Sequence, residues 1–400
     1  MSPPAVPRST PSASAAAPSP GRTPGGGARG GPVWCPFELT VERVARMLNA
    51  EFVDHPVYAG FELQWFDDAV HGTGMLAFLQ RRDDQRVDYY VQPGLELDRA
   101  GYDIGGGIGR WVPTTFDVAR LEVDADGVDA EVGFVDADGR TIEIRVDDRA
   151  AGRRHAADLL APVGASIVDP SSLLLVFMHG FDLLRRGGPD PLVRIDGRQV
   201  AIGRLPGAFL HRRHLIKAAA PLSVATVCPA TSGPLRAVDP AVPAGVQIDP
   251  RRGIRGVTAG NGEANATLQL VPAFPDLSEL PGGEELTGRW RVVIDRVPVT
   301  GGTWHAVRHA GRVELSLEVT RGWRPAPGLP LLMRIVTRVL PVFRRWPTTY
   351  RWRAEITLDD PPRIASRWER IGTDLAEGYR RVTQPGPRRP DEPSGGGETG

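Results

Sequence analysis

Lysine is nearly absent from this chain: Lys217 is the only one among 48 basic residues. The arginines come with abundant Ala, Gly and Pro, the signature of a GC-rich coding bias, so an isolated arginine carries little functional argument. Lys217 as a Schiff-base nucleophile would need a desolvated amine, and nothing near it in sequence marks one. Cysteine is scarce too. Cys35 and Cys228 are too few for a disulfide framework or a zinc site, and they predict reduced thiols in a cytoplasmic protein. An excess of one charge is missing: 48 basic and 48 acidic residues leave a net charge of zero, which excludes a global attraction to nucleic acid. No apolar run approaches the roughly 20 residues of a membrane-crossing helix. Residues 1–32, rich in Pro, Ala, Ser, Gly and Arg, lack the apolar centre of a signal peptide. They and residues 384–400 read as disordered tails, because such composition cannot offset the entropy of ordering. Nucleophile elbow, P-loop and kinase signatures are also absent.

What is present is strand pattern. Phe61, Leu63 and Trp65 alternate with Glu62 and Gln64, Leu121 and Val123 with Arg120 and Glu122, and Ile142, Ile144 and Val146 with Glu143 and Arg145. One apolar and one polar face predict antiparallel sheet solvated on one side. Asp124-Ala-Asp-Gly127 and Asp136-Ala-Asp-Gly139 have the composition of hairpin turns. The second half repeats the idiom at Trp290–Ile294, Val313–Val319 and Tyr350–Leu358, after a segment, 229–250, rich in Pro, Ala and Gly.

The expected organising element is Asp169–Gly188. Asp169 and Pro170 suit a helix start, Arg185 and Arg186 its last turn, and Gly187-Gly188 its stop. Leu173–Met178 is apolar all round, as in a buried helix. Shorter covering helices are predicted from Thr40, at 149–162, over Pro330–Pro341 and from Thr373 to Val382. The fold class expected is mostly β: two antiparallel lipocalin-like barrels or curved sandwiches, domains 33–230 and 231–383, with a buried central helix at 170–186.

Two pairs of residues carry candidate acid–base chemistry. Asp68 and His71 sit at a strand turn, where a carboxylate can orient an imidazole; the plainer reading is exposed turn residues. His179 and Asp182 share one face if residues 170–186 are helical, and burial there would perturb both; the plainer reading is a structural hydrogen bond. His211/His214 and His305/His309 could each give two metal ligands, but no third is placed, so no metal is expected. Gly105-Gly-Gly-Ile-Gly109 leads into Trp111-Val-Pro-Thr rather than a helix, so it reads as a loop and not a phosphate cradle. Trp65, Tyr89, Trp290, Tyr350 and Trp352 lie on strands and either fill cores or wall a pocket for an apolar ligand.

The opening strand Phe61-Glu-Leu-Gln-Trp-Phe66, the hairpins after it and the two β halves, over roughly 60–370, resemble the lipocalin-like carotenoid hydratase superfamily, which includes hydroxyneurosporene synthase. The resemblance is one of pattern and length. It implies two lipocalin-like barrels and cofactor-independent hydration or cyclisation of terpenoid-type substrates, and it transfers no catalytic residue. The function expected is binding of an apolar, terpenoid- or lipid-like molecule, with acid–base transformation by hydration, cyclisation or isomerisation and without cofactor. One alternative is a carrier that does no chemistry. Another is a membrane-peripheral protein docking through residues 330–346, with Leu332 and Val336 as its contacts; two arginines on that helix and zero net charge favour instead a helix that covers a barrel end. Oligomeric state is not legible.

Overall fold

The computed structural model describes residues 31–371 apart from 103, 105, 164–169, 206–210, 242, 326–327, 341 and 344–345. The expected tails apart from Gly31 and Pro32, the helix from Thr373 and the Asp169 cap lie outside the described residues. The fold is mostly β. A ten-stranded sheet runs in the order Leu39–Val44, Leu222–Val227, Leu173–Arg185, Arg213–Ala219, Arg46–Glu51, Tyr58–Asp68, Gly72–Arg81, Val87–Val91 and Ile108–Pro113, with Ala157–Ala161 added beside Leu173–Arg185. A five-stranded sheet is built from Val118–Val123, Val128–Val135, Thr141–Asp147, Leu192–Ile195 and Arg198–Gln199. A nine-stranded sheet takes Ser232–Pro234 and the meander from Val246 to Arg370. Each sheet is an open ladder among the described residues, with no pairing of first strand to last.

The central segment is a strand and not a helix. Leu173–Arg185 pairs with Leu222–Val227, Ala157–Ala161 and Arg213–Ala219. Its all-round apolarity serves burial on both faces of a sheet. Leu173, Leu175 and Phe177 enter the core of the nine-stranded sheet, whereas Val176 and Met178 enter a second core inside the ten-stranded sheet. Past a break at His179-Gly180, Phe181 and Leu183 stay in that inner core, and Leu184 reaches a third core against the five-stranded sheet. The helix expected from Thr40 is likewise two strands, Leu39–Val44 and Arg46–Glu51. Val41, Val44 and Leu48, which look helically spaced, face three different cores across a break at Ala45. The 149–162 connector holds one 3-10 turn at Arg149–Ala151 and the Ala157–Ala161 strand. The helix expected between Pro330 and Pro341 forms at Leu331–Val339.

The nine-stranded sheet curls, and a single ring shows it. Phe37, ahead of the first long strand, packs 5.2 Å from the Phe274 ring and 6.2 Å from the Trp352 ring. Those rings sit on strands four steps apart, about 19 Å in a flat sheet at 4.8 Å per step. One ring touching both requires the sheet to wrap, and Phe37, Leu173 and Phe177 fill its hollow. The five-stranded sheet packs Leu121, Val132, Phe134, Ile142 and Ile144 on the outer face of the ten-stranded one.

Phe37 is 1% exposed, so Phe37→Ala is expected to destabilise by about 3–5 kcal/mol through lost transfer and the cavity left. Urea unfolding of the two proteins measures it.

Candidate functional site

The sheet register puts Leu183, Lys217, Asn49, Glu62, Phe78, Tyr89 and Trp111 in one row across seven strands. Directly paired residues share a face, and the apolar members of this row belong to or pack on the inner core. The row therefore lies on the inner face. One half of it is aromatic. Tyr89 lies 5.2 Å from Phe78, 5.2 Å from Trp111 and 5.6 Å from Tyr102, ring to ring. The other half is polar. Asn49 Nδ2 donates to Glu62 Oε2 at 3.2 Å, Gln64 Nε2 donates to Glu62 Oε1 at 2.7 Å, and Lys217 Nζ pairs with Glu51 at 3.0 Å. Glu62 stands at the boundary between the halves, half-buried and beside Phe78.

Burial raises the Glu62 carboxyl above its ordinary range; the hydrogen bonds of Gln64 and Asn49 and the charge of Lys217 oppose it only in part. Glu42, on the outermost strand of the sheet, is also raised by burial, against the charge of His71 and helped by Asp98 and Asp68. Tyr102 is pushed well up by burial, with Glu42, Tyr89 and Glu62 adding to it, so this phenol lies within electrostatic reach of both glutamates. The 3-10 turn at Arg99–Tyr102 brings it there. A carboxyl raised by burial keeps its acid form to higher pH, which is the state a general acid starts from.

Sequence reasoning took Glu62 and Gln64 for a solvated face. A signal against that was available in the partner strand. Met75, Leu76, Ala77, Phe78 and Leu79 are apolar at both parities and all buried, so any residue paired to them is inside on either face.

Asp68 and His71 meet: His71 Nδ1 lies 2.9 Å from Asp68 Oδ2, and the His71 and Val70 amides donate to Asp68 Oδ1. Burial pushes Asp68 up, but the hydrogen bonds from the His71 ring and these two amides win and hold it below the usual range. His71 is 5% exposed and packs against Phe66. Asp68 also lines an open cleft of about 350 Å³ with Arg43, Ala45, Arg46, Asp67, Ala220, Pro221 and Glu263.

His179 and Asp182 do not meet, because a strand with a break at Gly180 replaces the helix that would have aligned them. His179 Nε2 lies 3.0 Å from Asp295 Oδ2, at the turn between the Glu285–Ile294 and Val297–His309 strands, and Ser223 Oγ donates to the same oxygen. Burial raises Asp295, and these bonds with the Asn265 amide bring it below the usual range. Serine and histidine meet on one carboxylate oxygen, and Ser223 Oγ also lies 3.5 Å from His179 Nε2, whose Nδ1 lies 3.8 Å from Asp158; Ser223 is buried, and the trio joins two sheets. Asp182 lies 3.6 Å from Arg213, and burial raises it.

The five aromatic residues offered as core fillers or pocket walls fall into three cores. Trp65 packs towards the five-stranded sheet, Tyr89 is in the inner core, and Trp290, Tyr350 and Trp352 are buried in the nine-stranded sheet. Tyr89 alone of the five belongs to the Glu62 row, beneath Tyr102 and Trp111.

Asp68 has a folded pKa below its unfolded value. Its contribution to stability is therefore present above the unfolded value, about 3.9, and is lost as pH falls through the folded one. Asp68→Asn is expected to flatten the acid limb of the stability–pH curve and to leave the alkaline limb unchanged, as read by Tm between acid and neutral pH.

No family model, curated protein or solved structure matches the chain.

Proposed function

We propose that the inner face of the ten-stranded sheet binds an apolar, terpenoid- or lipid-like molecule and transforms it by proton transfer from Glu62. The observation that carries this reading is one carboxyl, raised by burial, at the edge of the Phe78–Tyr89–Tyr102–Trp111 cluster. An isolated carbon–carbon double bond is a weak base, and protonating it requires a donor that still holds its proton at the working pH. A neutral carboxyl in apolar surroundings is such an acid. The proton goes to one alkene carbon and leaves a carbocation on the other and a carboxylate on Glu62. Aromatic faces stabilise a cation by their quadrupole, by about 0.5–2 kcal/mol each. Water then adds to the cation, and the proton it sheds returns to Glu62, which completes a hydration. Attack by a second double bond of the same molecule in place of water closes a ring and leaves a new cation, which ends by losing a neighbouring proton to the Glu62 carboxylate; the same proton loss without ring closure gives isomerisation.

Asn49 and Gln64 orient the carboxyl, and Lys217 beside them is held by Glu51. None of these steps requires a cofactor. The pattern-level resemblance to lipocalin-like carotenoid hydratases points to the same reaction class.

The test uses acyclic polyprenyl substrates in D2O, with carbon-bound deuterium read by mass spectrometry. The wild type is expected to place deuterium on carbon, and Glu62→Gln to lose this by at least about a hundredfold while keeping its Tm and its ligand adduct in native mass spectrometry. The rate should fall as pH rises through the Glu62 pKa, because the acid form is consumed. Deuterium incorporation that survives in Glu62→Gln would contradict the assignment. Adduct without any incorporation in the wild type would make the protein a carrier.

A further inference from the structure

The Leu331–Val339 helix lies on the long connection between the Arg312–Arg321 and Tyr350–Thr357 strands. Its inward side is Met333, with Leu332 and Val336, packed on the inner core. These two, which the sequence suggests as docking contacts, face the protein. The outward positions are 331, 334, 335, 338 and 339, the spacing of one helix face. A helix that only covers a core shows water a polar back. Here the back carries Leu331, Ile335 and Val339, 65%, 51% and 64% exposed. They are three of the eight large hydrophobics exposed among the described residues. Arg334 and Arg338 stand between them, exposed, and neither has an ion-pair partner among the described residues.

The surrounding sequence repeats the bias. Residues 322–349 hold five arginines, Arg324, Arg334, Arg338, Arg344 and Arg345, and no acidic residue, in a chain whose net charge is zero. We infer that this ridge docks on the anionic surface of a lipid bilayer. The guanidinium groups meet lipid phosphates, and the three aliphatic side chains enter the acyl boundary, the arrangement of an interfacial amphipathic helix. A second copy of the chain fits the ridge less well. Two identical ridges across a two-fold axis would oppose arginine to arginine, and one nine-residue helix, about 13 Å long, offers far less than the roughly 800 Å² per partner of a stable dimer. The inference stands on the helix itself and not on the assignment of Glu62.

The test is co-sedimentation of the full chain with phosphatidylcholine vesicles and with vesicles containing about 30% phosphatidylglycerol. The wild type is expected to follow the anionic vesicles and to be released by salt. Arg334→Gln with Arg338→Gln should lower partitioning by about tenfold or more, and Leu331→Ser, Ile335→Ser and Val339→Ser together by at least as much. All five positions are exposed, and unchanged Tm and near-UV circular dichroism confirm the fold of each variant. A wild type that stays in the supernatant with anionic vesicles overturns the inference, as does unchanged sedimentation of the triple serine variant. Dimerisation in solution that the triple variant abolishes, without lipid binding, would overturn it in favour of a contact between copies.

Discussion

The long Leu173–Arg185 strand and two strand pairs, Leu39–Val44 with Arg46–Glu51 and Arg213–Ala219 with Leu222–Val227, change the parity of their side chains at one level, and the rest of the molecule depends on that shared break. It runs through Ala45, His179-Gly180 and Ala220-Pro221. On one side of it the outer face carries Val41, Phe177 and Ala225 into the nine-stranded sheet; on the other it carries Leu48, Leu184 and Ala218 into the five-stranded sheet. The inner face keeps one continuous core throughout, from Met178 and Leu222 to Leu183 and Ala219. A strand of strict period two would hold one outer partner only. Gly180 makes the shift possible: its φ is +55°, and a Cβ there would lie 3.0 Å from the Ala220 carbonyl oxygen. The Ser223–His179–Asp295 bridge lies beside the same break and ties it to the nine-stranded sheet.

That continuity of the inner face is what places polar groups where water is scarce. Asn49 and Gln64 both donate to the Glu62 carboxyl, while Lys217 pairs with Glu51. The amides bound to Glu62 are neutral donors. Neutral donors offset less of the burial penalty than an arginine would. The contrast within the same protein is Asp148, where burial is overcome by the Arg185 guanidinium and by backbone amides, and the carboxyl falls below its usual range. Two buried carboxyls thus move in opposite directions because one has a charged fork and the other has amides.

The alternating strands at Leu121–Val123, Ile142–Val146, Trp290–Ile294, Val313–Val319 and Tyr350–Leu358 were legible, because each has one wet face. Local pairs were legible as well: Asp68 and His71 are brought together by their own turn. The long Leu173–Arg185 strand was not. Its start and stop residues are those of a helix, and a run apolar all round suits a buried helix and a strand covered on both faces equally. Only the partners decide, and they come from residues 39–51 and 213–227. The same ignorance of partners turned Glu62 outward. Side-chain alternation says that two faces differ; it does not say which of them meets another sheet.

The central claim is that Glu62 holds a proton at a pH where surface glutamates do not. Infrared difference spectroscopy of the full chain across a pH titration, with Glu62→Gln as the control, tests it most directly. The account predicts a protonated-carboxyl C=O band that persists above the ordinary glutamate range, about pH 4.3, and is missing in Glu62→Gln. A wild type and a Glu62→Gln variant with identical bands above that range would show Glu62 ionised like any surface carboxylate, and would contradict its role as the acid.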